Sequence, residues 1–168
     1  MKKIFFYLSI TVLLTNCRKE EKFNTVFDSF ALKNGSEWKA TSYSQMYKKD
    51  TIDIDFSVHN EYGEERGAID ISNLSLRYGK QIINNDSNFT CKKTFASYYT
   101  LEADGDVIGD TYDVCENEYN YIELTRIDTE KKYIEGIFQI TLAKEPYFHD
   151  TLRFTKGCFI SKYIIKTN

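Results

Sequence analysis

From residue 27 onward the chain alternates apolar and polar positions with a period of two. In Thr51–Val58, Ile52, Ile54, Phe56 and Val58 point one way, and Asp53, Asp55 and Ser57 the other. That alternation marks a strand with one buried face. It returns in Ala68–Leu74, Tyr121–Ile127 and Tyr133–Leu142. Phe27–Leu32 and Trp38–Tyr43 flank Asn34-Gly35, a hairpin signal because both residues tolerate positive φ. The polar stretches 60–67 and 128–132 read as turns, and 74–80 is ambiguous. Residues 80–93 predict a short strand and a loop, and 94–101 a strand. The acidic, glycine-bearing stretch 102–118 predicts the longest irregular region. Thr151–Thr155 and Cys158–Ile165 predict a closing hairpin through Lys156-Gly157. About nine or ten short strands at this spacing predict an all-β chain, an antiparallel β-sandwich or flattened barrel.

The first residues break this pattern. Lys2 and Lys3 precede Ile4–Leu14, a run without charge, and Leu14-Thr15-Asn16-Cys17 closes it. The run is shorter than the roughly 20 residues of a membrane-spanning helix, and a basic start with a short apolar stretch is the form of a signal peptide. A Leu three residues before a lone Cys resembles the lipobox of bacterial lipoproteins, with Asn16 in place of the usual small residue. The resemblance implies a diacylglyceryl group on the Cys17 sulfur and an acylated amine, palmitate among the chains. Two or more chains anchor stably, at about 0.8 kcal/mol per buried methylene. The expected organisation is a signal peptide at 1–16, a lipidated tether at 17–25 and a single all-β domain at 26–168. Lys19-Glu20-Glu21 also resembles the surface-export signal of Bacteroidetes lipoproteins, which implies outer-membrane anchoring and display at the cell surface.

Composition narrows the class. The net charge of -3 becomes more negative by two when Lys2 and Lys3 are lost, so nucleic acid is not an expected partner. The 13 tyrosines, 12 phenylalanines and single proline suit half-buried pleated surfaces. Beyond Cys17, the cysteines at 91, 115 and 158 allow one disulfide. Cys91–Cys115 is the expected pair, worth about 3 kcal/mol if unstrained. Cys158 is expected to pack as a small hydrophobe.

Candidate chemistry is sparse. Asp104, Asp106 and Asp110 present oxygen ligands that suit calcium, although the order of an EF-hand is missing; the plainer expectation is a solvated acidic loop and no metal. Tyr98, Tyr99, Tyr112, Tyr147 and Phe148, with Tyr119 and Tyr121, are candidates for a glycan-stacking platform; in a sheet such residues also pack across strands. His59 and His149 join no catalytic motif. No nucleophile elbow, zinc helix or phosphate loop is present. A non-enzymatic protein without a cofactor is expected. Asp50-Thr51 and Asp150-Thr151 resemble the O-glycosylation sites of Bacteroidetes exported proteins, both at expected strand starts.

Three segments, Asn34-Gly35-Ser36-Glu37-Trp38-Lys39-Ala40, Ile122–Asp128 followed by Tyr133–Phe138 with its I-x-G-x-F, and Leu152–Phe159 with its F-T-x-G-x-F, resemble small Bacteroidetes lipoproteins of unknown function. The resemblance implies fold and location and carries no catalytic residue. The expected role is a lipid-anchored binding module for a glycan or an envelope protein. The alternative is a periplasmic inhibitor or accessory protein of a wall-degrading enzyme, inserting 102–118.

Overall fold

The computed structural model describes residues 28–84, 93–144 and 150–166. They form ten strands: β1 (Asp28–Lys33), β2 (Ser36–Lys48), β3 (Thr51–His59), β4 (Glu65–Ser75), β5 (Gly79–Ile82), β6 (Phe95–Leu101), β7 (Ile108–Val114), β8 (Tyr121–Asp128), β9 (Tyr133–Ala143) and β10 (Thr151–Ile165). One sheet holds all ten, in the order β1-β10-β2-β3-β4-β6-β7-β9-β8-β5. β10 also pairs with β9, so the ladder runs from β10 through β2, β3, β4, β6, β7 and β9 back to β10. Of the two forms expected, this continuous closure is that of the barrel. Every pairing is antiparallel except Tyr163–Ile165 beside Ser44–Met46, where β10 runs parallel to β2.

The alternation read from the sequence becomes the inside and outside of this barrel. Ile52, Ile54 and Phe56 of β3 and Ile69 and Ile71 of β4 are fully buried. Asn34 and Gly35 both hold positive φ, 51° and 85°, in the tight turn between β1 and β2. The three family-like segments interlock in the core. Gly136 pairs with Phe159, and Gly157 with Phe138. A Cβ on Gly136 would lie 2.6 Å from the Phe159 ring, and one on Gly157 2.7 Å from the Phe138 ring. Each glycine is therefore the floor on which the opposite ring lies. Phe56 stacks on Phe138 at 5.0 Å, and Trp38 meets Phe154 edge-on at 5.1 Å.

Three expectations need correction. Lys156-Gly157 does not turn the chain: β10 continues through it as one strand of 15 residues. Lys156 takes φ 52° in a bulge, where Phe154 pairs with Ile140 and Gly157 with Phe138. The left-handed residue that suggested a turn inserts one extra position instead. Beyond that bulge Cys158 faces outward and is exposed rather than packed. Finally, 102–118 is not one irregular region; β7 occupies its middle and leaves a short turn at 102–107.

Polar side chains close the gaps where strands part. β8 and β7 both pair with one edge of β9 but separate between Gln139 and Leu142. Asn120, 1 % exposed, fills that gap: its Oδ1 accepts from the Thr141 amide at 2.7 Å, and its Nδ2 donates to the Cys115 carbonyl at 2.8 Å. Gln81 bridges β5 and β4 likewise, exchanging two hydrogen bonds with the Ser75 backbone at 2.8 and 3.0 Å. Where β10 leaves β1 for β2, Ser44 and Ser161 join at 2.6 Å. Each pairing satisfies a buried backbone or hydroxyl group that would otherwise be costly.

The barrel has two ends. One gathers the turns at 34–35, 60–64 and 102–107. The other gathers those at 49–50, 76–78 and 129–132 together with the last residues of β10.

Candidate functional site

Most of the described candidates gather toward the first end. The 60–64 turn is built by Asn60, whose Oδ1 accepts from the amides of Tyr62 and Glu64, both at 3.0 Å. The 102–107 turn closes through the Glu102 amide to the Val107 carbonyl at 2.9 Å, and Asp104 accepts from the Asp106 amide. Arg66 ties the two together. Its Nη1 donates to the carbonyls of Glu102 and Ala103 at 3.0 and 2.9 Å, and its Nη2 pairs with Glu64. The result is a rim of Glu61, Glu64, Glu102, Asp104 and Asp106, from which Tyr62 (80 % exposed), Val107 and Ile108 project. Fixed backbone with exposed apolar side chains among charges is a surface that can hold a partner without first ordering itself.

Asp104, Asp106 and Asp110 do not converge on a common point. Asp110 lies on β7 and is paired with Lys144, which holds the lysine above its ordinary pKa, while Asp104 caps its own turn. No group of three potential ligands that could hold a metal occurs among the described residues.

The tyrosines do not form one platform. Tyr98 and Tyr112 face the interior, 5 % and 6 % exposed, with ring centres 5.9 Å apart. Lys33 donates to the Tyr98 hydroxyl at 3.0 Å, and Tyr112 donates to Asp150 at 2.9 Å; burial and that acceptor push the Tyr112 phenol up to about 12. Tyr99, one residue on, points to the opposite face and donates to Glu65 at 2.6 Å; burial, first, and that carboxylate raise its pKa. Tyr119 and Tyr121 do lie together at the surface, 5.5 Å apart, but the Lys80 amine sits over Tyr121 at 4.1 Å. Tyr147, Phe148 and His149 lie outside the described residues, as do Cys17 and Cys91. Cys115, the expected partner of Cys91, is a half-buried free cysteine. His59 is exposed at the end of β3. Thr51 and Thr151 begin β3 and β10, at the strand starts expected for them.

Sequence reasoning missed two features. One is a row of carboxylates on the outer face, where Asp55 of β3 stands opposite Asp70 of β4. Burial pushes Asp70 up to about 7, and its hydrogen bond with Asp55 and the charges of Asp55, Glu65 and Asp53 act in the same direction. The polar positions of the alternating stretches 51–58 and 68–74, Asp53, Asp55 and Asp70, carried that signal. The other is a depression of about 240 Å3 over β8, β9 and β10, around Gly136, Ile137 and Cys158.

Residues 1–17 match the family model described as a prokaryotic membrane lipoprotein lipid attachment site. The chain is a lipoprotein. Its anchor is the lipid on Cys17, which makes it a lipid-anchored envelope protein, and among the described residues no helix is long and apolar enough to cross a membrane. No curated protein and no solved structure matches the chain.

Proposed function

We propose that this lipoprotein is a non-enzymatic, outer-membrane binding module, displayed at the cell surface, whose acidic barrel end engages a protein partner with a basic surface. The carrying observation is Arg66, which fixes two acidic turns and presents Tyr62, Val107 and Ile108 between them. Exposed aromatic and branched side chains ringed by charge have the make-up of an interface centre and rim. The inhibitor reading gains less support, because the segment expected to insert is a short clamped turn followed by a strand. Among the described residues, the glycan reading keeps only the Tyr119–Tyr121 pair, with the Lys80 amine over Tyr121.

Photo-crosslinking in intact cells tests the proposal. A photoreactive residue at Tyr62 or Ile108 should give one discrete cross-linked protein that the Arg66→Ala variant loses at least tenfold, in line with the loss of a pre-ordered contact. The same residue at Thr125 should give none. No adduct at 62 and 108, or equal adducts at all three positions, would overturn it. Resistance of the protein to protease added to intact cells would overturn surface display.

A further inference from the structure

The second barrel end has the opposite charge. Lys48 ends β2 and Lys49 lies in the β2–β3 turn, Arg77 in the β4–β5 turn, and Lys131 and Lys132 in the β8–β9 turn. Lys162 and Lys166 end the C-terminal strand beside them, because Tyr163 bonds to the Lys132 carbonyl and Lys166 to the Met46 carbonyl. Only Asp50, Asp128 and Glu130 oppose these seven cations in the same turns and strand ends. All seven are exposed, and none joins an ion pair among the described residues. The acidic end differs: Arg66 and Lys144 are each bound to a carboxylate there. Exposed Tyr47, Tyr78, Ile164 and Ile165 stand among the basic residues, and Lys166 reaches over the Tyr47 ring at 5.2 Å. Long amines with interspersed tyrosines suit a boundary that is apolar below and anionic above.

The anchor selects the same end. β1 runs from Asp28 toward Lys33 at the acidic end, so its N-terminal end points to the basic one. Ten residues lie between Cys17 and Asp28 and span at most about 35 Å. Asp28 is level with Thr41 of β2. From there to Lys48 the strand advances seven residues, about 23 Å. A lipid on Cys17 can therefore hold the basic end against the bilayer.

We propose that the basic end is a bilayer-docking surface. Lys48, Lys49, Arg77, Lys131, Lys132 and Lys166 bind the anionic headgroups of the leaflet that carries the Cys17 lipid, and the acidic end faces away. Attraction of this kind acts within a screening length of about 8–10 Å at ordinary salt, so it requires a close approach, which the reach of the tether permits. The inference rests on the lipid anchor alone and stands or falls separately from the protein-partner reading.

Hydrogen exchange on the acylated, full-length protein tests it, in phosphatidylcholine vesicles with and without phosphatidylglycerol. With the anionic lipid, amides in 47–50, 76–79 and 129–132 should exchange about tenfold more slowly, and the difference should vanish near 1 M salt, where screening shortens to about 3 Å. Exchange in 60–64 and 102–107 should not change. The combined variant Lys49→Glu, Arg77→Glu, Lys131→Glu should show no lipid-dependent slowing. Equal exchange in both vesicles, slowing confined to the acidic end, or slowing that survives high salt would overturn the proposal. The comparison of vesicles and salt on the parent protein decides even if the variant folds poorly.

Discussion

The aromatic core and the polar seams hold the same barrel closed by opposite means. At the centre of β9 and β10, two glycines and two phenylalanines pair reciprocally, and stability comes from burying rings on bare backbone. At the places where strands part, Asn120 and Gln81 supply the hydrogen bonds that a missing neighbour would have made. The first device is non-directional and graded by area. The second is directional, and its loss leaves a buried group unpaired. A closed sheet therefore needs both: shape where strands run together and chemical substitution where they diverge.

Perturbing each region separates these mechanisms. The largest effect is expected for Phe138→Ala, which empties the ring position over Gly157 and beside Phe56. Denaturant unfolding should show a loss of about 3–5 kcal/mol. Asn120→Ala should cost less, about 2 kcal/mol, because Thr141 loses its acceptor and the Cys115 carbonyl its donor. Its signature is local: the Thr141 amide should exchange far faster, while the Phe138 variant loosens the barrel throughout. A Phe138 variant with no more loss than the Asn120 variant would refute the ranking.

The smallest effect is expected outside both regions, at Asp70. Its folded pKa of about 7 lies above the ordinary 3.8, so the folded state holds this proton more tightly than the unfolded chain. Between those values stability falls as pH rises, and the penalty is complete above pH 7. Asp70→Asn should stabilise by about 1–2 kcal/mol at pH 8, after discounting for partial exposure, and by almost nothing near pH 4. Thermal unfolding at the two pH values checks the sign, and equal gains at both would disprove it.

How far the sequence reached follows from the same contrast. Period-two alternation exposed β3, β4, β8 and β9, because one buried face leaves a mark at every second position. Asn34-Gly35 marked its turn because few other pairs adopt positive φ twice. Lys156-Gly157 carried a similar local signal, yet the backbone spends it on a bulge; only the partner Phe138, 19 residues upstream of Gly157, distinguishes the two uses. β7 hid inside 102–118 because its exposed edge has few apolar residues. Asn120 and Gln81 were illegible, since an asparagine that completes a distant ladder looks like any polar loop residue. Among site candidates, Tyr98 and Tyr112 were visible as aromatics, but their inward direction depends on strand phase. The clamp at Arg66 joins segments 36 residues apart and leaves no local trace.

The β1–β10 ladder pairs Ser29 with Phe159, so the first strand finishes its pairing only with the last. A polypeptide emerging from N to C terminus must wait for almost its whole length before the cylinder can shut, and such distant pairings are slow to form. A chain cut before β10 would leave β1, the later part of β2 and β9 with raw edges, ready templates for association with other strands. For a molecule tethered at its front end, quality of assembly is thus decided by its tail.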